Sequence, residues 1–188
     1  MNPLNFRYLP SPHRDPRPAG TTVELLVVHA ISLPPGGFGG SFVDDLFLGR
    51  LDPAAHPFFA TLAGLRVSAH FFLDRYGALT QFVPVGERAW HAGVSRWRGR
   101  ERCNDFSLGV ELEGDESNPF TDGQYRHLAA LVRTLQQRLP DLADENIAGH
   151  QEIAPGRKWD PGPGFDWDRF RQQLADAAPF DGWQPVWG

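Results

Sequence analysis

The chain has 188 residues, of which 41% are hydrophobic and 22% are charged, a composition that is typical of one globular domain with a buried core. Its net charge of -5 argues against nucleic acid or an anionic membrane surface as the main partner, because both require a basic surface. Cys103 is the only cysteine, which excludes an intramolecular disulfide, and we interpret it as a small buried hydrophobic residue.

The apolar runs, of which LLVV is typical, are far too short to cross a bilayer, and residues 1–20 hold no apolar core of a secretory leader. These features predict a cytoplasmic protein. Residues 1–188 are expected to form a single domain and a monomer. Within it, the Pro-rich residues 1–20 are expected to lie extended on the surface, and residues 179–188 to form a C-terminal tail.

The first predicted strand is residues 23–29, VELLVVH, whose apolar and β-branched residues on both faces are typical of a central buried strand. A Pro/Gly loop opens directly after His29. The pattern next predicts two short helical segments, SFVDDLFLG and PAAHPFFATLAGL. A hairpin follows, VSAHFFLDRYGALTQFV, which turns near Tyr76 and Gly77, and then a strand at residues 106–114, FSLGVELEG.

The segment TDGQYRHLAALVRTLQQRLP has the clearest helical pattern in the chain. Thr121 and Gln124 have the spacing of a capping box, and Pro140 ends the helix. One apolar stripe at helical spacing contains Tyr125, Leu128, Val132, Leu135 and Leu139.

A last helix is predicted from Asp166 to about residue 178, with Phe165 and Phe170 placed for a hydrophobic staple. Strands and helices mix without regular βαβ alternation. The sequence therefore predicts an α/β or α+β fold, in which helices pack on the faces of a mixed central sheet.

Three residues are candidate metal ligands: His29, His150 and Asp160. His29 is expected to end its strand at a cleft, and His150 to open the Pro/Gly-rich segment GHQEIAPGRKWDPGPGFDW, which we interpret as an ordered loop. Two imidazoles and one carboxylate suit Zn²⁺ and leave a fourth position for water. On spacing alone, a histidine that follows a strand is more often an ordinary hydrogen-bonded residue than a metal ligand. His70 and His91 are possible pocket-lining residues but weaker ligand candidates.

Glu111 and Glu113 share one face of FSLGVELEG because strand side chains alternate, while Phe106, Leu108, Val110 and Leu112 are expected on the opposite face. Two readings remain open for this acidic face. It is either an exposed strand face, or it aims a carboxylate into a cleft where Glu111 works as a general base.

Four stretches, in order and spanning most of the chain, resemble the AmpD type of N-acetylmuramoyl-L-alanine amidase, in the zinc amidase family that includes peptidoglycan recognition proteins. They are LLVVHAISLPPGGFGG, DPAAHPFFATLAGLRVSAHF, RAWHAGVSRWRGRERCNDFSLGVELEG and GHQEIAPGRKWDPGPGFDW. The resemblance implies a mixed sheet flanked by helices, one Zn²⁺ ion, and a small-molecule anhydro-muropeptide substrate from cytoplasmic cell-wall recycling. The bond cleaved would join the lactyl group of 1,6-anhydro-N-acetylmuramic acid to L-alanine.

Carried over residue by residue, the resemblance implies His29, His150 and Asp160 as zinc ligands. It implies Glu111 as the catalytic carboxylate and Lys158 as the cation near the scissile carbonyl.

Arg66 and Arg102 match arginines that look like substrate binders, and planar Arg forks suit the carboxylates of a stem peptide. Trp90 is interpreted as a wall for a sugar ring or, alternatively, as a structural tryptophan. The neighbouring Arg96, Arg98 and Arg100 are also consistent with a solvated loop.

The sequence departs from the family pattern at Ala30, where asparagine is common, and at Trp159, where a smaller residue is expected. The alternative function is a non-catalytic peptidoglycan-fragment-binding module of the same fold. The presence of all four residues His29, His150, Asp160 and Glu111 favours the enzyme.

Overall fold

The computed structural model describes residues 5–188 of the chain. Residues 1–4 of the predicted extended N-terminal segment lie outside this range. In chain order the strands are β1 (Phe6–Tyr8), β2 (Arg14–Pro16), β3 (Leu25–Ile31), β4 (Phe71–Leu73), β5 (Leu79–Gln81), β6 (Glu87–Ala89), β7 (Arg96–Trp97), β8 (Arg100–Glu101), β9 (Ser107–Glu113) and β10 (Ile147–Gly149). The α-helices are α1 (Phe42–Phe47), α2 (Asp122–Gln136), α3 (His150–Ile153) and α4 (Trp167–Asp176), and 3₁₀ turns lie at Pro57–Leu62, Cys103–Asp105 and Asp144–Asn146.

Six strands form one mixed sheet in the order β1-β5-β4-β9-β3-β10. All neighbouring pairs in it are parallel except β4 and β5, which form the predicted hairpin with its turn at Tyr76 and Gly77. The strand pairs β2–β6 and β7–β8 form two small antiparallel ribbons. The predicted fold class, a mixed central sheet flanked by helices, is confirmed.

The central strands β3 and β9 sort their side chains by alternation. The even-numbered residues of both strands, such as Leu26 and Val110, join the large core that α2 and α4 cover. On the other face, Leu25 and Val27 form a second cluster with Cys103, which is fully buried as predicted. Phe106 precedes β9 and lies in this second cluster. The prediction that it shares a face with Leu108, Val110 and Leu112 is therefore wrong.

Helix α2 begins and packs as its sequence predicts. The Thr121 side chain accepts from the backbone N–H of Gln124, and the Gln124 side chain accepts from the N–H of Thr121, which closes the capping box. At α4, Asp166 caps the helix, and the Phe165 and Phe170 rings lie 5.8 Å apart, consistent with the staple.

Two local expectations are corrected and a third is made more specific. The first strand runs from Leu25 to Ile31, so His29 lies inside it and not at its end. The helical segment predicted within PAAHPFFATLAGL is a short 3₁₀ helix, Pro57–Leu62. His150 begins one short helical turn, α3, before the Pro/Gly-rich loop, because the first proline comes only at Pro155.

Two short stretches of the extended N-terminal segment pair with other strands. β1 adds the outermost strand beside β5, and β2 pairs with β6. At the other end of the chain, the N–H groups of Val85 and Gly86 donate to the carbonyls of Val186 and Trp187. Among residues 5–188, no helix is both long enough and apolar enough to cross a membrane.

Candidate metal centre and active site

The parallel register of three strands brings the candidate residues to one level of the sheet. His29 on β3 is directly opposite Glu111 on β9. On the other side of β3, Gly149 of β10 pairs with Val28, so His150, one residue further on, comes beside His29. Because these side chains have the same parity, they emerge on the same face.

Asp160 completes the group from the Pro/Gly-rich loop, which folds back so that the Gln151 N–H donates to the Asp160 carbonyl at 2.9 Å. The Nδ1 atoms of His29 and His150 are 2.9 Å apart, and each lies 3.0 Å from Asp160 Oδ2. All three side chains are buried. They form a compact group of metal-ligating atoms that is typical of a site for one ion.

The hydrogen bonds around this triangle test whether a cation fits it. The Ala92 carbonyl, 3.2 Å from His150 Nε2, can only accept, so the neutral His150 ring must carry its proton on Nε2 and present a lone pair at Nδ1. That lone pair faces Asp160 Oδ2, a second acceptor, at 3.0 Å. A cation held by both residues would relieve this clash of acceptors, so the residues present fit a metal site.

The electrostatics keep two of the three residues, His29 and Asp160, in the protonation states that bind metals. Burial lowers the pKa of His29 to about 4, so the ring is neutral and its contact with Asp160 is not an ion pair. Burial alone would raise the pKa of Asp160, but the adjacent imidazoles of His150 and His29 hold that pKa well below its usual range. Neutral imidazoles and an ionised carboxylate are the forms that bind metals.

Glu111 is buried, and its Oε2 has no hydrogen-bond partner within the described residues. Burial, and then the nearby charge of Asp160, raise the pKa of Glu111 well above its ordinary value, while Lys158 opposes the shift. An unpaired buried carboxyl beside a metal triad suits proton transfer. Glu113 is also buried, where it accepts from the N–H groups of Gly39 and Arg75. The reading of this face as an exposed strand surface is therefore wrong.

Lys158 lies on the exposed loop two residues before Asp160, and its charge influences both Glu111 and His29. Trp159, between Lys158 and Asp160, is 43% exposed and packs over Gly162. The loop thus presents one cation and one aromatic ring to solvent beside the triangle of ligands.

The remaining predicted site residues lie in other surroundings. Arg66 is exposed and lines a small cavity of about 150 Å³ whose lining includes none of the three ligands. Arg102 is exposed and pairs with Asp105 at 3.2 Å. Trp90 is partly buried and stacks on His13, with ring centroids 5.9 Å apart. Arg96, Arg98 and Arg100, left open as a solvated loop, are exposed on the β7–β8 ribbon and the turn between its strands.

A cavity of about 1120 Å³ lies elsewhere, between the N-terminal segment, the end of α2 and Trp187, and none of its lining residues belongs to the triangle. We therefore locate the site by the chemistry of its side chains and not by cavity size.

Sequence reasoning identified His91 only as a possible pocket-lining residue, and it missed the contacts of His91 and Ala92 with the two imidazoles. His91 Nδ1 is 2.9 Å from His29 Nε2, and the Ala92 carbonyl faces His150. The histidine was visible in the sequence, but it sits in an irregular loop whose direction no periodicity reveals. A backbone carbonyl leaves no side-chain signal at all. His70 is buried and hydrogen-bonded to the Glu87 carbonyl and the Gly109 N–H.

Comparisons with known proteins agree with this geometry. Residues 19–163 match the family model described as N-acetylmuramoyl-L-alanine amidase. A relative in Escherichia coli K12, 1,6-anhydro-N-acetylmuramyl-L-alanine amidase AmpD, is 60% identical over 168 residues, which cover 89% of this chain and 91% of the relative.

Solved structures give the same result. A selenomethionine derivative of AmpD superposes with a TM-score of 0.88 at 56% identity, covering 90% of this chain and 94% of the other. The E. coli amidase AmiD has a solved complex with anhydro-N-acetylmuramic acid-L-Ala-D-γ-Glu-L-Lys. It superposes with a TM-score of 0.59 at 31% identity, covering 84% of this chain and 60% of the other.

Proposed function

Because this chain belongs to the N-acetylmuramoyl-L-alanine amidase family, we propose that it is a zinc hydrolase that releases stem peptides from anhydro-muropeptides. The bond hydrolysed is the amide between the lactyl group of 1,6-anhydro-N-acetylmuramic acid and L-alanine. The observation that carries the proposal is the buried triangle of His29, His150 and Asp160 beside the unpaired carboxyl of Glu111.

Zinc is the metal that suits this set of donors. Four-coordinate zinc with imidazole and carboxylate ligands at ~2.0–2.2 Å is common in proteins, and three protein ligands are the catalytic pattern. When bound, zinc supplies Lewis acidity, which lowers the pKa of water and polarises a carbonyl oxygen. His29, His150 and Asp160 are the residues that would hold it.

Glu111 is the proposed general base and acid. Its buried carboxyl accepts the proton of the attacking water and then returns it to the departing alanine nitrogen, which is otherwise a poor leaving group. The raised pKa of Glu111 makes its carboxylate a stronger base than that of an ordinary glutamate, which favours removal of a proton from water.

Lys158 is the proposed partner of the carbonyl oxygen, on which negative charge develops as the amide is attacked. The prolines and the fold-back contact of the loop fix the backbone around Lys158 before substrate arrives. A preorganised charge of this kind acts mainly on the transition state.

Substrate recognition is proposed for Arg66, Arg102 and Trp90. The two guanidinium groups are exposed and suit the carboxylates of a stem peptide, and Trp90 suits the face of a sugar. Neither Arg66 nor Arg102 is hydrogen-bonded to a residue of the triangle, so both are proposed to contact the peptide and not the metal.

We also propose that residues 1–188 form one catalytic domain that works as a monomer in the cytoplasm. Hydrogen bonds between residues 85–86 and 186–187, together with β1 in the main sheet, support the inclusion of both ends of the chain. Neither nucleic acid nor a membrane is a proposed partner, given the net charge of -5.

A non-catalytic module that binds peptidoglycan fragments is the alternative function. It has no need of a buried, unpaired Glu111 next to three converging ligands, because such a carboxyl costs stability. The presence of both features favours hydrolysis.

Mass spectrometry of an anhydro-muropeptide incubated with the protein tests the proposal. We expect two products, anhydro-N-acetylmuramic acid and a peptide with a free L-alanine amine. A chelator should abolish their formation and added Zn²⁺ should restore it. A muropeptide that ends in ordinary N-acetylmuramic acid serves as the matched control for the anhydro ring. Cleavage at another bond, or binding without any cleavage, would contradict the proposal.

A further inference from the structure

The segment His91–Ala92 contacts the Nε2 atoms of both imidazoles, His29 and His150, on the side away from the Nδ1 atoms of the triangle. We propose that this dipeptide is a positioning element that fixes the tautomer and orientation of His29 and His150, and that Asn104 holds it in place. The inference rests on the proposed metal site and extends it to residues that do not touch the metal.

The His91 side chain orients His29. Its Nδ1 lies 2.9 Å from His29 Nε2, and its own Nε2 lies 3.2 Å from Ser107 Oγ. If His29 binds metal through Nδ1, its proton must be on Nε2, so Nδ1 of His91 must accept. The remaining His91 proton is then on Nε2 and donates to Ser107. Metal binding at His29 Nδ1 would thus fix which atom donates and which accepts in both hydrogen bonds, from His29 to His91 and from His91 to Ser107.

The next residue orients the second imidazole. The Ala92 carbonyl lies 3.2 Å from His150 Nε2 and so selects the tautomer whose lone pair is on Nδ1, the atom in the triangle. Arg157 donates to the same carbonyl at 2.6 Å and to the Val94 carbonyl at 2.6 Å, which ties the segment to the ligand-bearing loop. One side chain and one adjacent carbonyl therefore serve the two histidine ligands.

Asn104 fixes the dipeptide through a single oxygen. Its Oδ1 accepts from the N–H of His91 at 3.1 Å and from the N–H of Ala92 at 2.8 Å. The His91 ring also packs closely on Gly109, where a Cβ would come within 2.5 Å of the ring. The segment is thus held by two separate contacts, and Asn104 can be altered without changing any group that contacts a ligand.

Zinc affinity of the full chain tests the inference. The dissociation constant is measured by titrating Zn²⁺ into metal-free protein in competition with a chromophoric chelator. At position 104, Asn104→Ala is compared with Asn104→Asp, which keeps the accepting oxygen. At position 91, His91→Leu is compared with His91→Asn, which keeps an oxygen near the position of Nδ1. His127→Asn removes an imidazole on α2 whose Nδ1 donates to the Gly77 carbonyl, and it serves as the control.

We expect Asn104→Ala and His91→Leu to weaken zinc binding by about 10–100-fold, the usual effect of losing a group that orients a ligand. Asn104→Asp and His91→Asn should recover most of the affinity, and His127→Asn should match the parent. The absorption bands of the Co²⁺-loaded protein report ligand geometry, so they should change in Asn104→Ala and His91→Leu and not in the other variants.

Thermal unfolding of the metal-free variants separates positioning from folding. If His91→Leu fails to fold, the Asn104 pair decides the question. Equal zinc affinity in Asn104→Ala and the parent, or reduced metal-free stability with unchanged affinity, would overturn the inference and leave the proposed function intact. A parent protein that binds no zinc would instead overturn the proposed function, and this inference with it.

Discussion

His29 and Glu111 are register partners on the adjacent parallel strands β3 and β9. The pairing sets a ligand imidazole beside a carboxyl whose Oε2 is buried and unpaired, on one rigid face of the sheet. Main-chain hydrogen bonds of two seven-residue strands therefore hold the proposed metal site and the proposed base at a fixed separation. A site built on strands is placed more accurately than one built on loops alone.

Replacing that carboxyl separates proton transfer from metal binding. Glu111→Gln keeps the shape of the side chain and cannot accept a proton, so we expect kcat to fall by about 10²–10⁴-fold. Bound zinc should remain at one equivalent by metal analysis, because Glu111 is not one of the three ligands. Turnover at the parent rate would refute the assignment of the base.

Removal of one imidazole should remove the metal. His150→Ala deletes a buried ligand, and two remaining ligands hold zinc poorly, so we expect metal analysis after dialysis to find far less than one equivalent. Added Zn²⁺ should restore activity to chelator-treated parent protein but not to this variant. One tightly held equivalent in His150→Ala would rule out the proposed ligand set.

The charge of Lys158 should act on turnover more than on binding. Lys158→Met keeps most of the apolar stem and removes the cation, and the loss of one such group typically lowers kcat by about 10²–10³-fold. Lys158→Arg is the matched variant and should retain part of the activity. A change in KM alone, with kcat intact, would show that Lys158 binds substrate uniformly rather than the transition state.

Most of the fold was predictable from the sequence, because its elements depend on local patterns. The capping box of Thr121 and Gln124 and the apolar stripe of α2 mark a helix whatever surrounds it. The 3₁₀ helix at Pro57–Leu62 could be predicted only as a helical segment, because apolar residues at short spacing fit both α and 3₁₀ structures.

The site was predictable only in part. His29, His150 and Asp160 were identified as candidates, and the structure brings them together. Their convergence depends on strand order, with β10 beside β3, which no local pattern encodes. The contacts of Asn104 with the His91–Ala92 segment were missed for the same reason, since they join irregular segments through backbone groups.

A substitution at Gly109 tests how closely the His91 ring packs on strand β9. A Cβ there would lie 2.5 Å from the His91 ring, so we expect Gly109→Ala to lower the free energy of unfolding by about 1–3 kcal/mol, the usual cost of overpacking. Denaturant unfolding of the metal-free protein measures it. Gly123, on α2, is the matched control, because a Cβ there meets only ordinary contacts at 3.5 Å or more and alanine favours a helix. Equal stability of the two alanine variants would contradict this close approach.

Acid should selectively weaken the attachment of β2. The Arg88 guanidinium binds both oxygens of Asp15 at 2.6 Å and also Asp105 at 2.6 Å. The hydrogen bond from Arg88 lowers the pKa of Asp15 below its ordinary value of 3.8. A carboxyl with a depressed folded-state pKa stabilises the fold above its unfolded pKa, and this contribution is lost as pH falls through the folded value.

The free energy of unfolding of Asp15→Asn should therefore lie below that of the parent at pH 7, by up to about 1 kcal/mol since the pair is partly exposed. The difference should shrink as the pH falls below about 4, near the ordinary pKa of an aspartate. Denaturant unfolding of both proteins at pH 7 and at pH 3 measures it, and Asp168→Asn, an exposed aspartate on α4, is the control. A difference that stays constant or grows in acid would mean that Asp15 acts through packing and not through its charge.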